Sequence, residues 1–154
     1  MSVTTPQTQA RTESRTPGFL SKRPVWLVGV LATLAGAVVT EAFALVARAA
    51  GVPMEAASPR AEEAAEIPVG GFGGGVVFWS VAGIVLAVVL ARWAKQPART
   101  FTVTTVVLTA LSLAGPAVAP HTATSTQIIL ALSHVVAAAV IIPLVARRLS
   151  QVQR

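Results

Sequence analysis

Along this chain, long apolar runs alternate with short polar segments. Four runs, roughly Val25 to Ala47, Val69 to Ala91, Phe101 to Ala119 and Gln127 to Ala146, stand out. Each approaches the ~20 residues that a helix needs to cross a hydrocarbon core. The pattern predicts an all-α fold: a four-transmembrane-helix domain over residues 24–148, a disordered polar tail over 1–23 and a short tail over 149–154. The connections near Arg92 to Thr100 and Pro120 to Thr126 are short, so consecutive spans should pack as antiparallel neighbours in an up-down-up-down bundle.

Several breaks in the pattern carry local expectations. The first connection, about Arg48 to Pro68, is rich in Ala and Glu and predicts a short surface helix. The glycines from Gly70 to Gly75 predict a flexible hinge at the entry to the second span. No Lys-Ser or Lys-Thr follows them, which argues against a phosphate-cradling loop. Pro116 and Pro143 interrupt apolar runs and predict kinks or ends in the third and fourth spans. Small residues recur every four positions at Ala32, Gly36 and Thr40, at Gly83, Ala87 and Ala91, and at Ala110 and Ala114. Such stripes let helix backbones approach in lipid, where close packing replaces the hydrophobic effect.

Composition supports a membrane setting, because 54% hydrophobic against 12% charged residues leaves too little polar surface for a soluble domain of this size. The net charge of +6 reflects basic residues placed beside the runs rather than a basic face with interleaved aromatics, so nucleic acid is not an expected partner. Arg11, Arg15, Lys22 and Arg23 precede the first run, Arg92, Lys95 and Arg99 fill the second connection, and Arg147, Arg148 and Arg154 follow the last. The positive-inside rule therefore predicts a multi-pass protein of the cell membrane with both termini cytoplasmic. Trp26 and Trp93 would lie at the inner interface, where indole rings are favoured. A cleaved signal peptide competes for the first run through Ala42-Phe43-Ala44, but the run is too long for a signal core and another span follows. The chain has no Cys, which removes disulfides, thiolate metal sites and Cys nucleophiles.

Glu41 and His134 are the only ionisable residues well inside the apolar runs, and intramembrane ionisable groups are candidates for function. Both lie roughly 10 Å below the outer ends of their spans at about 1.5 Å per residue, with Ser112 of the third span within a turn of that level. The candidate site is therefore an intramembrane polar cluster of Glu41, Ser112 and His134. A facing Glu41–His134 pair would avoid the desolvation cost of a lone charge and would serve either as interhelical glue or as a proton or solute relay, glue being favoured. An enzyme is not expected, and no catalytic, metal or cofactor site is predicted. His121 is a lone loop residue, no His-Glu-x-x-His spacing occurs, and a serine beside His134 lacks a positioned acid and an oxyanion site. Trp79, midway along the second span, is expected to be a packing residue.

Three segments carry a resemblance: Arg48-Ala49-Ala50-Gly51-Val52, Ser112-Leu113-Ala114-Gly115-Pro116, and Leu130 through Ala137 with Ser133-His134 at its centre. They are similar to a family of small uncharacterised four-helix membrane proteins found mainly in high-GC bacteria, over about Pro24 to Arg148. The resemblance implies a four-helix fold and a histidine on the fourth helix, here His134. Ser133 stands where relatives often carry Met, and an acid at Glu41 is not typical. No activity follows from the resemblance. The chain thus reads as a non-enzymatic structural or interaction component of the cell membrane, with the bilayer and a second copy or another membrane protein as partners. The alternative is a small transporter or proton-linked carrier using Glu41 and His134.

Overall fold

The computed structural model describes residues 23–57 and 61–152. Most of the predicted tail over 1–23, and the last two residues of the predicted tail over 149–154, lie outside the described residues. Among the described residues, four helical segments are long and apolar enough to cross a membrane: Val25–Ala49, Gly71–Trp93, Pro97–Ala117 and Thr124–Val152. Large side chains such as Val38, Val46, Phe78 and Leu111 are exposed along them, a surface that lipid covers at low cost. The chain is a multi-pass membrane protein.

Helix α1 (Val25–Ala49) starts at Pro24, whose fixed φ suits a helix entry and whose carbonyl accepts the Leu27 and Val28 N–H groups. It stops at Gly51, which takes φ +88°, a left-handed conformation that glycine adopts without a Cβ clash. The Gly51 N–H then reaches Arg48 O and the Val52 N–H reaches Ala47 O, satisfying the last carbonyls.

The predicted surface helix in the first connection does not form. In its place β1 (Glu55–Ala56) and β2 (Ala65–Glu66) make a short antiparallel ribbon, Glu55 opposite Glu66. Pro53, Pro59 and Pro68 each remove a helix donor from this stretch, and the ribbon is tied at several points. Ile67 N–H donates to Met54 O at 2.7 Å, Arg48 pairs with Glu66 at 2.9 Å and also donates to Ile67 O, and Ala57 N–H reaches Thr122 Oγ1 at 3.2 Å.

Helix α2 (Gly71–Trp93) absorbs most of the glycine run, so the predicted hinge is instead an ordered helix start. Gly70 supplies the left-handed entry at φ +91°. Helix α3 (Pro97–Ser112) begins with Pro at its first position, where the missing N–H costs nothing. It breaks at Leu113 and a single turn, α4 (Ala114–Ala117), follows, because Pro116 has no N–H for the Ser112 carbonyl. Pro143 does not end the last span: α5 (Thr124–Val152) runs through it, with Ile141 before it and Val145 after it packed in one apolar cluster.

Packing departs from the predicted neighbour order. Helix α1 packs along α2 and α5, and α3 packs along α5, but α2 and α3 touch little despite their short link. They meet chiefly beside that link, where Ala87, Leu90, Ala98 and Phe101 join Ala32, Val145 and Leu149. A second cluster of Ala44, Ala47, Met54 and Phe72 closes the ribbon end. The Ala32, Gly36 and Thr40 stripe is buried as expected, and a Cβ on Gly36 would come within 2.7 Å of Ile141 Cγ1 on α5. Ala110 and Ala114 are instead exposed, since α3 turns its hydroxyl-bearing face inward.

Candidate functional site

Glu41 and His134 do not pair. Both oxygens of Glu41 are engaged at the start of α2: Oε1 accepts the Gly70 N–H at 2.7 Å and Oε2 accepts the Gly73 N–H at 2.9 Å. A helix start leaves backbone donors without intrahelical partners and carries partial positive charge, so a carboxylate from the neighbouring helix suits it on both counts. The glycine at 73 makes the approach close, because a Cβ there would lie 3.3 Å from Ala37 O and 3.5 Å from Glu41 Oε2. Glu41 is thus a cap supplied in trans between α1 and α2. Arg48 binds Glu66.

His134 and Ser112 line a different feature. Because α2 and α3 stand apart, a groove of about 800 Å³ opens between them, floored by α1 and α5. Its surface is mostly apolar, with polar groups at two levels. Toward the ribbon end lie Ser112, Ser133 and His134; toward the link end lie Thr33, Ser80 and Thr105, with Thr109 between. Thr105, Thr109 and Ser112 recur at intervals of four and three, so they form one stripe along α3. Glu41 is not among the lining residues. Of the predicted cluster, the fold therefore brings Ser112 and His134 to one groove and leaves Glu41 outside it.

The hydrogen bonding of these groups gives the groove a definite chemical sense. Thr105 Oγ1 donates to Phe101 O at 2.7 Å, Thr109 Oγ1 to Thr105 O at 2.8 Å and Ser112 Oγ to Thr109 O at 2.7 Å. Ser133 Oγ donates to Leu130 O, and His134 Nδ1 lies 2.7 Å from the same carbonyl. A carbonyl can only accept, so Nδ1 carries the proton, and in the neutral ring Nε2 is left as a lone-pair acceptor. Thr33 is the exception: it is 5% exposed, lines the groove and its hydroxyl has no partner. Thr40 and Thr126 are also buried with unpartnered hydroxyls.

Sequence reasoning missed Thr33, Ser80, Thr105, Thr109 and Trp79 as groove residues. The spacing of Thr105, Thr109 and Ser112 was a readable signal; Thr33 and Ser80 carry none, each being an isolated hydroxyl among apolar neighbours. Trp79 is not the packing residue expected. It is 75% exposed at the groove's edge, with its ring edge-on to Phe78 at 5.3 Å. Among the described residues no three His, Asp or Glu side chains converge as a metal site would require.

Residues 20–151 match the model of a family described as a family of unknown function (DUF6069). No curated protein and no solved structure matches the chain.

Proposed function

From the premise that this chain belongs to the DUF6069 family, whose function is unknown, we propose that it is a non-enzymatic interaction component of the cell membrane that holds a hydrophobic occupant in the groove between α2 and α3. The observation that carries this reading is the separation of α2 and α3 into an open, mostly apolar groove lined by all four spans. A bundle with a purely structural role would gain by closing that gap, since helix association in lipid rests on close packing. Both termini and the α2–α3 link face the cytoplasm in this reading, supported by the basic residues gathered at that end and by Trp26 and Trp93, both exposed there.

The carrier reading loses its main support. Its relay required Glu41 opposite His134, whereas Glu41 is committed to Gly70 and Gly73 and the space around His134 is largely apolar.

The test is photocrosslinking in native membranes with a photoreactive residue at Leu108, which lines the groove, and at Val38, which is 70% exposed and is not a groove residue. A discrete adduct at Leu108 and only diffuse lipid at Val38 supports the reading. The same diffuse pattern at both positions overturns it.

A further inference from the structure

We propose that the occupant of the groove is a hydroxyl-bearing lipid: an apolar body carrying a hydrogen-bond-donating alcohol or phenol that bonds the acceptors on α3 and α5. The inference rests on reading the groove as an interaction site and specifies the chemistry that would fill it.

Size comes first. A cavity of about 800 Å³ falls within the ~300–1,000 Å³ of small-molecule sites. The groove therefore suits a single lipid-sized molecule, entering sideways from the bilayer between α2 and α3.

Hydrogen-bond polarity then selects among lipids. The protons of Thr105, Thr109, Ser112 and Ser133 are all spent on carbonyls of their own helices, and the proton of His134 Nδ1 on Leu130 O. What these side chains turn outward is four hydroxyl oxygens and one imidazole nitrogen, all acceptors. Each of these groups already has a partner and none is stranded, but a saturated hydrocarbon, an ester or an ether has no proton with which to gain a further bond to their lone pairs. An alcohol or phenol supplies the missing proton. The α3 acceptors are about 10 Å apart along the axis from Thr105 to Ser112, so a molecule lying along the groove keeps its hydroxyl beside one of them while its body covers the apolar wall.

The test uses Trp79 as reporter. With Trp26→Phe and Trp93→Phe, Trp79 is the sole indole of the chain. The full-length protein in nanodiscs of unbrominated phosphatidylcholine is titrated with a dibrominated long-chain alcohol and, separately, with its methyl ether, and quenching is followed. The expected result is saturable quenching by the alcohol and roughly tenfold weaker quenching by the ether, the scale of one hydrogen bond gained. Ser112→Ala and His134→Phe should each narrow that gap. Equal, saturable quenching by both probes overturns the donor requirement while leaving the groove as an interaction site. No saturable quenching by either overturns the interaction reading as well. The comparison of the two probes on the unsubstituted groove stands even if a groove variant fails to fold.

Discussion

Glu41 looks like half of an intramembrane ion pair when it is met in sequence, and it acts as a helix cap in the fold. Its two oxygens hold the Gly70 and Gly73 N–H groups, donors that neither lipid nor the helix itself can satisfy. Glu41→Ala should therefore destabilise the protein by about 1–3 kcal/mol, seen as a lower midpoint of thermal unfolding in mild detergent. Glu41→Gln keeps one acceptor oxygen and should lose roughly half as much. If instead Gln equals Ala, the negative charge rather than the hydrogen bonds is what holds α2. His134 and Ser112 were legible as intramembrane polar residues because polarity inside an apolar run is a one-dimensional signal. Glu41's true partners were not, since a backbone N–H carries no signature in sequence.

Among the elements, α1 is the helix most buried against its neighbours, and its small residues set how near they come. Gly29 faces Ile84 of α2, where a Cβ would lie at 2.9 Å, and Gly36 faces Ile141 of α5 at 2.7 Å. Gly36→Leu places several carbons where Ile141 already sits and should cost about 1–3 kcal/mol, measured by the same unfolding assay. Gly74→Ala, with open space around it, should be neutral or slightly stabilising through helix propensity. A comparable loss at both positions would mean that glycine content rather than close approach matters. The small-residue spacing on α1 was readable in advance. On the third span the same rule misled: Ala110 of α3 and Ala114 of α4 face outward, because the Thr and Ser side chains bond back to their own carbonyls and so enter the bundle interior without stranded protons. The ribbon in the first connection was likewise unreadable from its Ala and Glu content, which local propensity assigns to a helix.

For the whole molecule, the proposed orientation places Gln96 in the cytoplasm and Glu62 outside. The chain has no Cys, so single Gln96→Cys and Glu62→Cys variants report without background. In intact cells a membrane-impermeant maleimide should label Glu62→Cys alone, and Gln96→Cys only after permeabilisation; the reverse pattern inverts the topology. Proteoliposomes holding the protein should pass no more protons across a pH gradient than empty ones, and flux that disappears in a Glu41→Gln, His134→Leu double variant would restore the carrier. The number of spans, their approximate limits and the side on which basic residues collect were settled by sequence alone, because the cost of placing each residue in hydrocarbon is local and sums along the chain. Which helices touch was not. In lipid every apolar face is equally at home, so the order α2, α1, α5, α3, the groove it leaves and the partners of Glu41 depend on how side-chain shapes and backbone donors meet across helices, and only the tertiary structure contains those meetings.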